Sequence, residues 1–228
     1  MRHPFSRARH IILVAVVPAA LPLMVPAAGS AETVIPVGSF RSVTLRNGGE
    51  VIVRHGSSPR VTLLQGTTEY SKATIVDGDR LVIDRRSDRC PRGYRLAVEV
   101  LVPSVDDVKV MDGGTIRTEG SFPQQSELQV TVENGGTIDL RSMPADRVTA
   151  AVHSGGRIFT TPRATLSARI AEGGIVTYWG RPNVTSSVKD GGVVTRGAAA
   201  DADKPLQELG TMGPSHHPRP ARIRRGSA

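Results

Sequence analysis

The 228-residue chain has one cysteine and few aromatic side chains: one Trp, three Tyr and four Phe. A lone cysteine excludes an internal disulfide, so the fold stands on packing alone. Cys90 sits in the turn-like segment Asp88–Arg92. The flanking arginines favour its thiolate, but no His or Asn is placed to make it a nucleophile, and it reads as a loop residue. No amphipathic pattern longer than two helical turns is present, because the apolar period is two almost everywhere. Zinc-finger spacing, a recognition helix and an aromatic single-strand motif are all missing, which argues against nucleic acid as a partner.

The one long apolar stretch is at the N-terminus. Arg2, Arg7 and Arg9 precede an apolar run from Ile11 to about Ala28, and Gly29-Ser30-Ala31 supplies small residues at a cleavage site. Residues 1–31 therefore read as a signal peptide cut between Ala31 and Glu32. Pro18, Pro22 and Pro26 suit a cleaved segment better than a retained membrane anchor. No transmembrane span is expected after cleavage, and the chain is expected in the periplasm, at the cell surface or outside the cell. The whole chain carries 29 basic and 21 acidic residues, net +8; losing the three N-terminal arginines leaves 26 against 21, net +5. In an exported protein such charge suits acidic glycans or other anionic envelope components.

What is abundant is Val, Thr, Ile and Gly, the composition of strands and turns. Five Gly-Gly pairs punctuate the second half: 113–114, 135–136, 155–156, 173–174 and 191–192, at spacings of 22, 20, 18 and 18. Four residues before the second glycine of each pair stand Val110, Val132, Val152, Ile170 and Val188. Two residues after it stand Ile116, Ile138, Ile158, Val176 and Val194. A constant spacing with β-branched residues in constant register marks stacked strand–turn–strand units. One unit cannot bury its apolar face alone. Stacking at about 4.8 Å completes both the core columns and the backbone ladders.

The expected fold is all-β, a parallel β-helix or β-solenoid over residues 32–197, right-handed by the general crossover preference. A hairpin sandwich shows the same alternation but does not hold one register through five corners. Pro144, Pro162 and Pro182 are expected to stop pairing at a second corner. Strand-like runs at 42–45, 51–53, 61–64, 73–76, 81–84 and 94–102 are less regular. They form irregular first coils or a β-rich cap filled by Phe40, Tyr70 and Tyr94. Residues 198–228 lack apolar periodicity and are expected to be a disordered basic tail. The adjacent His216 and His217 have no further metal ligands near them in sequence.

On these residues the chain resembles the auto-transporter adhesin head domains, also called GIN-type domains, over about Val37–Gly197. The resemblance runs through the opening Val37–Val51, the segment Asp77–Ile83, the strand Val98–Pro103 and the closing segment Val176–Val184, which is the most specific match. It implies an exported β-solenoid of a family without an assigned biochemical role; the expected function is a cell-envelope binding, adhesion or scaffold module. Corners of that family read Gly-x-Gly-Asp; here Thr115, Thr137, Arg157, Ile175 and Val193 take the Asp place.

Candidate chemistry is sparse. Asp112, Asn134, Ser154, Glu172 and Asp190 precede the glycine pairs, an oxygen-rich column. Calcium needs six to eight converging oxygens, and Asx-type turn capping accounts for the column without it. Glu133, His153 and Glu172, with Arg157 nearby, are the residues a polysaccharide lyase or hydrolase would use. The expectation is nevertheless a non-catalytic module without cofactor or metal. Tyr178 and Trp179 point to opposite faces of one strand, and are the expected ligand contact through an outward ring, unless the C-terminal segment covers it.

Overall fold

The computed structural model describes residues 32–86 and 90–209. The expected signal segment and the positions 210–228 lie outside the described residues. The strands are β1 (Thr33–Ile35), β2 (Ser42–Arg46), β3 (Glu50–His55), β4 (Arg60–Gln65), β5 (Ser71–Val76), β6 (Arg80–Arg85), β7 (Ala97–Val102) and β8 (Asp107–Met111). They continue as β9 (Thr115–Glu119), β10 (Gln125–Asn134), β11 (Thr137–Ser154), β12 (Arg157–Glu172), β13 (Ile175–Tyr178), β14 (Asn183–Val188) and β15 (Val193–Arg196). Among the described residues, helix is confined to a 3-10 turn at Ala199–Asp201 and to α1 (Leu206–Leu209).

The fold is all-β. All fifteen strands join one sheet that curls into a nearly closed, barrel-like form. Two ladders compose it. The first runs β5–β6–β2–β8–β10 and on through the C-terminal half of β11, the C-terminal half of β12, and β14. The second runs β1–β4–β7–β3–β9 and on through the N-terminal halves of β11 and β12 to β13 and β15. From β6 and β7 onward every pairing in both ladders is parallel.

The expected register is observed residue for residue. Val132 faces Val152, which faces Ile170, and Ile138 faces Ile158, which faces Val176. All six are at most 1% exposed. Period-two alternation sends these β-branched side chains inward and their neighbours out. Each contributes roughly 1.5–3 kcal/mol through burial.

The second glycine of each pair makes the close stacking possible. At Gly156 an added Cβ would lie 2.6 Å from Val132 Cγ1 and 3.0 Å from the Gly136 carbonyl oxygen. The following amide, from Arg157, donates to that same oxygen at 3.0 Å. The first glycine, Gly155, has nothing within 4 Å of its Cβ position and is required only by its φ of +63°.

The prolines do not stop the strands at the second corner. β11 and β12 bend through it with register shifts between Leu140 and Arg147, and Ala145 still faces Pro162. A bulge accommodates the missing donor there; only Pro182 lies between strands.

The first half supplies both alternatives raised for it. β2 and β3 meet at the Asn47-Gly48-Gly49 corner and form a unit like the later ones. In space they lie between β6/β7, which follow them in sequence, and β8/β9. The antiparallel strands β5, β4 and β1 then close that end. Phe40 is buried there, and Tyr70 meets Tyr94 edge-on at 5.5 Å. The Tyr94 hydroxyl accepts from the Thr67 amide at 2.9 Å. Cys90 is half-buried, and its thiol donates to the Arg86 carbonyl at 3.0 Å.

Candidate functional site

The outward positions of the second ladder carry an alternating charge network. Arg117 Nε donates to Glu50 at 2.6 Å, and its Nη1 bonds Glu119. Arg54 reaches Glu119 through Nε at 3.1 Å and Glu99 through Nη1 at 3.1 Å. Hydrogen bonds from Arg117 and then Arg54 hold the Glu119 carboxyl below its usual range. Glu50 takes the first corner's position after its glycine pair, so the acid of the Gly-x-Gly-Asp pattern survives there. On the first ladder Asp107 is half-buried, and that burial pushes its carboxyl up; Arg80, at 3.6 Å, and Lys109 pull it back.

Next along the second ladder, Arg141 forms a clasp. Its Nε and Nη2 bond both Asp139 oxygens at 2.8 and 2.6 Å. Its Nη1 donates to the carbonyls of Asp201 and Ala202 at 2.9 and 3.1 Å. The guanidinium lies 5.8 Å from the Phe159 ring centroid and 5.5 Å from that of Trp179.

The clasp brings residues 198–209, which carry the 3-10 turn and α1, back over the second ladder. Side-chain bonds to the segment's backbone hold it without any apolar periodicity of its own. Trp179 is therefore no exposed platform: it is 7% exposed, its indole N–H donates to the Ala198 carbonyl at 2.9 Å, and Gly197 packs on its ring. Tyr178, on the opposite face, packs against the core. Beside the docked segment is an open groove of about 680 Å³ with Glu50, Arg117, Asp139 and Arg157 on one side and Asp203 to Gln207 on the other.

Removing the Trp179 ring should release the segment. Trp179→Ala is expected to cost about 3 kcal/mol and to open the chain to limited proteolysis between Ala198 and Leu209, read by mass spectrometry. Trp179→Phe, which keeps a ring but loses the donor, should show an intermediate cleavage rate.

The column before the glycine pairs contains residues in left-handed turn conformation and side-chain bonds between neighbouring units. Asn47, Asp112 and Asp190 have φ of 60°, 61° and 45°. Asn134 donates to Asp112 at 2.9 Å, and Asn47 to Asp84 at 2.8 Å. Among the described residues no group of three or more His, Cys, Asp or Glu is arranged to hold a metal. Glu133 and His153 sit on adjacent strands by register, but Glu133 is ion-paired to Lys109, and Glu172 lies on the corner column.

The sequence reading missed which cations are paired, and the unpaired ones lie in both halves: Arg46, Arg60, Lys72, Arg92 and Arg95 are exposed without an ion pair among the described residues. Arg41, Arg54, Arg80, Lys109, Arg117, Arg141 and Arg147 all have carboxylate partners. Arg157, Arg163, Arg169 and Arg181 are exposed and have no ion pair among the described residues. Between 157 and 197 the only acids are Glu172 and Asp190. That bias was present in the sequence as a falling count of acids; the pairing needed the ladders.

Fold and surface together define an all-β protein with glycine corners and a polar, strongly charged outer face. Residues 123–182 match the family model described as "Putative auto-transporter adhesin, head GIN domain", the family that the sequence resembles. That family suggests an exported or cell-surface protein. The chain is also similar to a putative adhesin from Bacteroides fragilis, at 13% identity over 72% of this chain and 95% of that one, with a TM-score of 0.47. A putative adhesin from Parabacteroides merdae is 14% identical over 74% and 96%, TM-score 0.37. A putative lipid binding protein from Parabacteroides distasonis is 13% identical over 73% and 96%, TM-score 0.34. No curated protein matches the chain. No helix among the described residues is long and apolar enough to cross a membrane.

Proposed function

We propose that this chain is an exported, non-catalytic binding module that takes an extended anionic partner, such as an acidic glycan, on its C-terminal half. The reading includes a parallel, solenoid-like path for the chain, which the in-register parallel pairing of five glycine-cornered units favours. The observation that carries it is the set of exposed arginines without carboxylate partners. Arg163 and Arg181 stand 18 residues apart, seven residues after their glycine pairs, so they occupy the same corner of adjacent units. Arg169 lies on the outer face of β12. Cations repeated at the strand spacing suit a polymer whose own charges repeat, and weak contacts then add through effective concentration. The N-terminal half also has exposed cations without an ion pair among the described residues (Arg46, Arg60, Lys72, Arg92 and Arg95), but they stand among most of the chain's acids, whereas 157–197 holds only Glu172 and Asp190.

The test is binding to immobilised acidic and neutral glycans across a salt series. Binding to the acidic polymer should fall steeply with salt. The double variant Arg163→Glu, Arg169→Glu should weaken it by about tenfold or more with unchanged melting. Salt-insensitive binding to a neutral sugar overturns the electrostatic reading. Turnover of a polysaccharide, lost in Glu172→Gln without loss of folding, overturns the non-catalytic one.

A further inference from the structure

The two ends of the molecule are finished differently. At the N-terminal end the inward residues of β6 and β7 (Leu81, Ile83, Val98 and Val100) are at most 1% exposed beneath β4 and β5. At the C-terminal end the same columns run out into solvent. Along one column Val132 is 0%, Val152 1%, Ile170 0%, and then Val188 43% exposed. Along another, Leu166 is 1% and Val184 38% exposed. All six residues of β14 are exposed, and it pairs only with β12. Strand β15 pairs only with β13; its column residue Val194 is half-buried against the core, and its outward Val193 is 51% exposed. An edge this apolar, without a bulge or internal proline, is a template for pairing.

We infer that this open edge seats a second copy of the chain, forming a two-fold dimer in which β14 pairs antiparallel with its own symmetry mate. Three observations select that occupant. The chain's own C-terminal segment leads away from the edge: after β15 it bonds Trp179, then Arg141, and reaches the groove beside Glu50. The sequence of 210–228 has one β-branched apolar residue, Ile223, and carries Arg219, Arg222, Arg224 and Arg225. It cannot extend a valine column, and its charge opposes Lys189 and Arg196 at the edge.

The second observation is that β14 is nearly palindromic: Asn183-Val-Thr-Ser-Ser-Val-Lys189. Antiparallel pairing centred on Ser186 sets Val184 against Val188 of the copy, and Thr185 against Ser187. It also holds the two Lys189 residues at opposite ends, whereas a parallel stack superposes them. Third, the capped end presents antiparallel strands, so head-to-tail stacking cannot continue the parallel ladders. Tail-to-tail contact is isologous and closes at two copies.

The proposal is independent of the anion-binding reading and is tested without a ligand. Sedimentation velocity of the full-length protein as purified should give the mass of a dimer at micromolar concentration. Val188→Lys, at a position exposed in the single chain, should give a monomer that still unfolds cooperatively at a melting temperature independent of protein concentration, with self-association weakened by about tenfold or more. In a Cys90→Ser background, Ser186→Cys should cross-link to its own mate under mild oxidation, which does not depend on how Val188→Lys folds. A monomer at all concentrations, a dimer indifferent to Val188→Lys, or a dimer that Ser186→Cys fails to cross-link each overturns it.

Discussion

Val132→Asp should yield no cooperative unfolding transition. Val132 is fully buried, flanked in its column by Val110 and Val152. The substitution forfeits roughly 1.5–3 kcal/mol of burial and adds the larger cost of an unpaired carboxylate in an apolar interior, several kcal/mol in practice. No cation lies among its column neighbours to compensate. The sum approaches the roughly 5–15 kcal/mol that holds a domain together. Thermal melting followed by circular dichroism checks it. A soluble Val132→Asp protein with unchanged melting would contradict the inward register on which both ladders depend. The isosteric Val132→Thr, a control at the same position, should melt lower but still cooperatively, because a hydroxyl costs less to bury than a charge.

Gly156→Ala should be the most damaging of the corner glycine-to-alanine changes at this turn, and Gly155→Ala a mild one. Two separate penalties meet at Gly156. Its φ of +98° is a conformation that L side chains rarely adopt. Its added methyl would also lie 2.6 Å from Val132 Cγ1 and 3.0 Å from the Gly136 oxygen that accepts the Arg157 amide. Backbone strain of about 1–3 kcal/mol and overpacking of about 1–3 kcal/mol combine, and the melting temperature should fall by about 10 °C. At Gly155 only the positive φ acts, so the expected loss is about 1–2 kcal/mol. Equal destabilisation at the two positions would mean that backbone strain alone dictates the glycine pairs, and that close approach between units has no part in it.

Acid should act on the same framework through its ion pairs. Glu119, held low by Arg117 and Arg54, contributes stability at neutral pH that is lost as pH falls through its lowered pKa.

Much of this architecture is written locally. Alternation of Val and Ile with polar residues dictates strands, because side chains on a pleated backbone point to opposite faces in turn. The constant offset of those residues from each glycine pair dictates which strands stack, since only one register buries every column. The Tyr178–Trp179 pair was legible as one inward and one outward ring, and the structure adds that the outward one is covered. Other features depend on residues far apart in the chain. The insertion of β2 and β3 between later strands leaves no local trace: any unit with a glycine corner and the same inward residues fits any place in the ladders. Arg117 meets Glu50 across 67 residues and Arg141 meets Asp201 across 60, so which cations are neutralised and which stay free was decided by stacking order. The docking of 198–209 was decided the same way. Its backbone carbonyls carry no sequence signature, and the donors that hold them, on Arg141 and Trp179, come together only when β11 and β13 take their places in the second ladder.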